Sequence, residues 1–344
     1  MNFRHRILIF SILIFIFVLS FVMDLLLGSV RIPFGEIVEI ITGGESQREE
    51  WTTIVKEIRM PKAIGGSFAG MALSLGGLLM QTIFRNPLAG PYVLGISAGA
   101  GLGVALVVLG TSSLFAITFV GFVGNWAVVL SAWLGAAFVL LLILFVSFRV
   151  KDVLTILVLG ILFGSAIGAI VTILQFFSEA ANLKTFVIWT MGSLGGITQK
   201  QLTVMIPGVL SGVLLAMFSA KKLNILLLGE NYAKSLGLNI LKARVLVFIS
   251  TCLLAGTVTA FCGPIAFLGV TVPHISRMIF RTANHNILIY ACMLVGGILM
   301  LLSDIVSQLP GTHSTLPINS VTALIGIPVI IWIIVRNQKL VHSN

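Results

Sequence analysis

Ten apolar stretches alternate with short polar connections along this chain, roughly over 7–27, 62–83, 92–110, 119–147, 153–177, 202–219, 244–262, 265–280, 287–309 and 316–335. About 20 apolar residues in helix match the thickness of a hydrocarbon core, so these windows predict about ten helical spans. The eighth is short and follows Gly263-Pro264, so it is expected to begin within the membrane. Between spans two and three lies a helix-breaking cluster, Arg85, Asn86 and Pro87, then Gly90 and Pro91. Proline cannot continue a helix through its preceding turn, and irregular backbone at membrane depth needs cover from protein or a water-filled cavity. The cluster therefore reads as part of a transport pathway, with an ordinary loop as the plainer alternative. Gly95, Gly99 and Gly103 follow at every fourth position, a flat strip on which a neighbouring backbone can pack closely. Gly160, Gly164 and Gly168 in span five repeat that spacing.

Composition narrows the class. Of 344 residues 58% are hydrophobic and 9% charged, too few polar groups to cover a soluble domain, so one all-α polytopic membrane domain over 1–344 is expected. The net charge of +10 points to basic inner loops, not to nucleic acid. With the N-terminus inside, 14 of the 21 Lys and Arg residues fall on inner ends and 7 on outer ones, where glutamates dilute them. That bias supports an even number of spans with both termini cytoplasmic. Spans two to five and seven to ten then run in opposite directions, consistent with an inverted repeat. Arg4-His5-Arg6 and the apolar run after it are long for a signal peptide and lack a clear cleavage site, so they are taken as a retained first span. Cys252, Cys262 and Cys292, odd in number and in apolar stretches, read as packing residues.

Candidate chemistry is sparse. Gly95-Ile96-Ser97-Ala98-Gly99 satisfies G-x-S-x-G, but the nucleophile elbow needs a strand-turn-helix setting. An intramembrane serine hydrolase pairing Ser97 with His274 is the remote alternative. No G-x-x-x-x-G-K-[ST] occurs, so any ATP must bind a separate subunit. An ion-coupled secondary transporter or channel is the second alternative, and acids within the spans are almost absent. His274 has no partner ligand nearby, which favours a structural hydrogen bond over metal or haem ligation. Asp304 stands alone in span nine, where an ionisable group is costly and usually has a purpose.

The wording RNPLA…P…LGIS from Arg85 onward resembles the signature of the FecCD-like permeases, the membrane subunits of ABC importers for iron–siderophore, haem and cobalamin. Further matches cover most of the chain from about Arg59. Leu228, Gly229, Glu230, Ala233, Leu236, Gly237 and Leu238 fill the family pattern L-G-E-x-x-A-x-x-L-G-L, which in the family is the coupling helix seated on the ATPase. Glu230 suits the first turn of a short helix and Gly237 its end, within a cytoplasmic segment of about 220–244. A helix on the lipid surface is the plainer alternative, and its apolar face is modest. Arg59-Met60-Pro61-Lys62 resembles R-L-P-R, implying that Arg59 and Lys62 face acidic patches on a substrate-binding protein; two interfacial anchors remain the alternative. Asp152, Val153, Leu154 and Thr155 fall where the family places its cytoplasmic gate, and are bulkier and more apolar than the small hydroxyl residues of the cobalamin importer. A different gate and cargo are implied.

Trp189, Met191 and Gly192 resemble the W-x-M-G element beside the substrate vestibule, though Trp189 equally suits an interfacial aromatic. Pro273 and His274 lie in a stretch similar to G-x-I-x-F-x-G-L-x-x-P-H-x-x-R. Around Leu316 the match to E-L-P-x-G departs, with Thr315 for the acid and Asn319 for the glycine, so no vestibule role is carried to that corner or to His313. The resemblance implies an ABC importer type II permease fold in a bacterial inner membrane. It implies a homodimer with the translocation path at its interface, two cytoplasmic ATPase subunits carrying ATP and Mg, and a periplasmic binding protein. This chain itself is expected to bind no cofactor. The cargo implied is a metal chelate, ferric siderophore ahead of haem or cobalamin, moved by alternating access.

Overall fold

In hydrocarbon every backbone N–H and C=O must be paired within its own segment, which leaves helix as the form for long apolar runs. The computed structural model describes residues 3–44, 46–110, 126–150, 152–308 and 315–341, and all regular structure among them is helical. The chain opens with α1 (Phe3–Leu26) and the short α2 (Phe34–Thr42). Next is α3 (Glu49–Ile83), which contains a π turn over Ile54–Arg59. A 3₁₀ turn leads into α4 (Ile96–Val108), followed by α5 (Ala127–Arg149), α6 (Val153–Phe176) and α7 (Ala180–Thr190). The second half holds α8 (Gln199–Leu226), α9 (Glu230–Ser235), α10 (Ile240–Cys262), α11 (Leu268–Phe280), α12 (His285–Ser307) and α13 (Ile318–Val341).

Seven of these (α1, α3, α5, α6, α8, α10 and α12) are long and apolar enough to cross a membrane. The short α4 and α11, together with α13, occupy the other three predicted windows. The first part of the predicted window 119–147 and His313 lie outside the described residues. Both α4 and α11 are 13 residues long, and each follows a break in the chain. The first break, at Arg85 (φ 46°), shares a cavity with Glu230. The second, at Gly263 (φ 71°), lies against Trp189 at the opposite end. Two like units with breaks at opposite ends are what an inverted repeat produces.

Helix α3 is the axis: 83% of its apolar window is buried, against 17% for α1 and for α6. Between α4 and α5 the backbones touch. A Cβ on Gly99 would stand 2.4 Å from the carbonyl oxygen of Gly135, and one on Gly103 1.8 Å from that of Ser131. The predicted strip is thus a helix contact made by dispersion at close range. The second strip is only half packed. Gly160 and Gly164 lie against Gly95, whereas Gly168 has nothing within 4 Å. Helix α6 accordingly stands at the rim, with Leu162, Ile170, Ile173 and Phe176 exposed. The three cysteines are unpaired, two of them buried and Cys252 partly so.

Candidate functional site

Three segments remote in sequence close on one cavity of about 750 Å³. Phe84 and Arg85 come from the end of α3, Asp152, Val153 and Leu154 from the foot of α6, and residues 228–232 from the turn after α8 and the start of α9. The turn depends on two glycines. Gly229 (φ 110°) and Gly237 (φ 79°) take conformations that a side chain disfavours. At the far end Gly237 N–H donates to Lys234 O (2.9 Å) and Leu238 N–H to Ala233 O (3.0 Å), pairing carbonyls the short helix would leave free. Ala233 is buried beneath α9, while Leu228, Tyr232 and Leu236 stand 57–62% exposed. The apolar face of this turn is therefore larger than the pattern alone implies, and it points outward.

Glu230 is held from inside the bundle. Its Oε1 accepts from Arg244 Nη2 at 2.7 Å, and Arg244, on the first turn of α10, is 4% exposed. Sequence reasoning counts Arg244 as one more inner charge; its signal is a cation placed one residue into an apolar span. Across the cavity Asp152 caps α6, accepting from Thr155 N–H (2.8 Å) and Thr155 Oγ1–H (2.6 Å). These bonds, the hydroxyl's first, hold its carboxyl below the usual carboxylate range. Thr155 thus serves the cap and is not part of the cavity wall.

The break after α3 is itself ordered. Asn86 Oδ1 accepts from Leu88 N–H (2.9 Å), and Pro87 O accepts from His274 Nε2–H (2.8 Å), so His274 ties α11 to the turn. Pro273, buried inside α11, lacks the N–H that would pair with Gly269 O. That carbonyl lies against Gly77, where a Cβ would stand 1.7 Å from it. Ser97 Oγ is buried and bonded to no partner, and His274 Nε2 is engaged with Pro87 O. A serine hydrolase needs its nucleophile and base bonded to each other. That pairing is not made.

At the opposite end a cavity of about 380 Å³ is lined by Lys62, Met191, Gly192, Asp304, Gln308 and Thr315, among others. Trp189 is not in its wall. The indole stacks on Phe186 with centroids 6.1 Å apart, and the Trp189 carbonyl oxygen would stand 2.5 Å from a Cβ on Gly263. Asn319, which stands where the family pattern has glycine, accepts from Ala266 N–H at 2.9 Å and so pairs a donor freed by the break before α11.

Here one expectation is corrected. Arg59 and Lys62 are 5% and 7% exposed and form no docking surface. Arg59 Nη1 donates to Leu25 O (2.6 Å) and Leu26 O (3.1 Å), and Nη2 donates to Val30 O. It caps the last carbonyls of α1, which a helix end cannot pair for itself. Lys62 Nζ stands 2.6 Å from Asp304 Oδ2 and 4.0 Å from Asp24 Oδ1. Gln308 Nε2 donates to both carboxylates, at 2.8 Å and 3.1 Å. Asp304 is therefore not alone, and both basic residues face inward because uncapped carbonyls and buried acids need them there. Asp24, an acid near the end of the first apolar run, was the overlooked signal.

A family profile described as the FecCD transport family matches residues 13–336. The vitamin B12 import system permease protein BtuC of Klebsiella pneumoniae is 34% identical over 299 residues, covering 87% of each chain. That of Salmonella typhi is 35% identical over 286 residues, covering 83% of this chain and 84% of the relative. Among solved structures, an inward-facing conformation of a metal-chelate type ABC transporter superposes with a TM-score of 0.82 at 28% identity, covering 95% of this chain and 99% of the other. PsaBC from Streptococcus pneumoniae, in complex with Fab, shares the fold alone, with a TM-score of 0.52 at 15% identity and coverage of 86% and 94%.

Proposed function

The chain belongs to the FecCD transport family and is a membrane-spanning permease subunit of an ABC importer; from that premise we propose how its two cavities divide the work. Residues 228–238 receive an ATPase subunit, which supplies the ATP and Mg that this chain does not bind. The exposed Leu228, Tyr232 and Leu236 form the apolar part of that seat. Two copies of the chain pair around the translocation path, with the rim helix α6 beside it, and a binding protein delivers cargo at the Lys62 end. The basic bias of the Glu230 end supports its placement on the cytoplasmic side.

The observation that carries this reading is the single cavity shared by the α9 turn and the foot of α6. A displacement of α9 reaches the proposed gate at Asp152, Val153 and Leu154 without passing through the packed core. ATP can bias the gate only if the two conformations contact the ATPase differently, and this geometry gives α9 such a contact. The cargo is a bulky metal chelate. The B12 permease relatives bring cobalamin forward beside ferric siderophore, and the apolar Val153-Leu154 foot favours a cargo other than cobalamin.

The test is reconstitution of the permease with its ATPase and binding protein in proteoliposomes, and uptake of labelled cobalamin, ferric siderophore and haem. ATP-dependent accumulation of one cargo is expected. Glu230→Arg, which sets two guanidiniums against each other, should lower uptake about tenfold or more, the scale of losing one buried charge-assisted bond. Uptake that follows an ion gradient without ATP would overturn the proposal.

A further inference from the structure

Thr82 lies in the last turn of α3, two residues before the cavity wall at Phe84, and Asn224 lies in the last turn of α8, four residues before Leu228. Between them stands His285, the first residue of α12, 1% exposed. The Asn224 amide is oriented by its neighbours. Its Oδ1 accepts from the His285 backbone N–H at 2.8 Å, a group that can only donate, and its Nδ2–H donates to Asn284 Oδ1 at 3.0 Å. The same Asn224 oxygen stands 2.9 Å from His285 Nδ1, so that ring nitrogen carries the proton. In the neutral ring Nε2 is then an acceptor, and Thr82 Oγ1–H donates to it at 2.8 Å. Leu78 O, 2.9 Å from the same hydroxyl, shares that proton.

We propose that His285 is a positioning residue of the coupling site: its ring ties the end of α8 to the end of α3, so that a displacement delivered to the turn after α8 carries the Arg85–Pro91 break with it. The proposal rests on the coupling reading above and extends it from the α9 turn to the break. An imidazole is planar and has no torsion between its two nitrogens, so bonds at Nδ1 and Nε2 pass on movement without the slack of a flexible side chain. Packed helices can still slide past one another, whereas directed hydrogen bonds weaken steeply when they are turned. The N-terminus of α12 is already capped by Asn284 and gripped by Asn224, so the bond to Thr82 is not needed for capping. The break is in turn tied onward to α11, where His274 bonds Pro87 O and Arg277 donates to Gln81 Oε1. The end of α3 thus answers to α8 through one ring and holds α11 through two further side chains.

The experiment uses the complete importer in proteoliposomes and reads cargo moved per ATP hydrolysed, with ATPase co-purification and thermal midpoint as separate readouts. Thr82→Val keeps the shape of the side chain and removes the hydroxyl. It is expected to lower the coupling ratio about fivefold, the scale of one neutral hydrogen bond, with the ATPase still co-purifying. Thr82→Ser keeps the hydroxyl and should keep the ratio of the unsubstituted importer. His285→Asn retains a donor in the place of Nδ1 and nothing in the place of Nε2, so its ratio should match that of Thr82→Val. Combining the two should lower it no further, because both remove the same bond. Unsubstituted coupling in Thr82→Val, whether or not its thermal midpoint falls, would overturn the proposal, as would losses that multiply in the combination. An unsubstituted importer that moves no chelate, or whose ATPase does not co-purify, is instead the failure of the coupling reading itself.

Discussion

Replacing Lys62 with Met removes the cation from a buried group in which it touches Asp304 at 2.6 Å and approaches Asp24 at 4.0 Å. Both partners of the short pair have side chains less than 10% exposed, at 9% and 7%. Removing one member of a buried pair costs about 3–5 kcal/mol, mostly because the remaining charge is left without a counter-ion. Gln308 still donates to both carboxylates, so the lower half of that range is expected. For a chain of this length that is a fall in thermal midpoint of about 4–6 °C. The assay is thermal unfolding of purified protein in detergent, followed by tryptophan fluorescence. The double substitution Lys62→Met with Asp304→Asn removes charge from both sides and should recover more than half of the loss, since well-packed neutral replacements of a buried pair are often tolerated. A midpoint within 1 °C of the unsubstituted protein, about 0.7 kcal/mol at this chain length, would show the pair to be solvated and refute the reasoning. If that result came with lost binding of the delivery protein, Lys62 would return to the docking surface.

Gly103→Ala places a methyl 1.8 Å from Ser131 O and forces α4 and α5 apart, so a loss of about 1–3 kcal/mol is expected. Gly101→Ala, a glycine with nothing within 4 Å, should leave the thermal midpoint unchanged. Asn319→Gly restores the family's residue but strips Ala266 N–H of its acceptor, and should destabilise by about 1–2 kcal/mol in the same unfolding assay.

Much of the fold was legible because lipid imposes one solution on long apolar runs, and the ten windows each carry a helix. The break at Arg85–Pro91 and the Gly99–Gly103 contact were legible for the same reason, since proline and glycine act through their own backbone. Residues 228–238 could be read from their local pattern, and the structure brings their first five to the foot of α6. What stayed hidden were partnerships across long sequence separations. Arg59 and Lys62 looked like surface charges because their acceptors lie on α1 and on α12. Nothing local to Arg244 announces that it will meet Glu230, nor does Asn319 announce Ala266. A polar side chain reports its type in sequence, and only the packing of distant helices gives it a partner.

Leu25 leaves the ribosome 34 residues before Arg59, the cation that will cap its carbonyl. At about 5–20 residues per second that interval is about 2–7 s, during which Asp24 and the last turn of α1 face the bilayer uncompensated. Gln308, which also bonds Asp24, arrives 284 residues later, about 14–57 s after it. The first helix is nevertheless the most apolar of the seven, at a mean hydropathy of 2.8, so it is expected to enter lipid early. Its last turn and Asp24 are expected to be fixed only when α3 brings Arg59 and Lys62 and α12 arrives. The order in which the chain is made is written into the cluster that holds its two ends together.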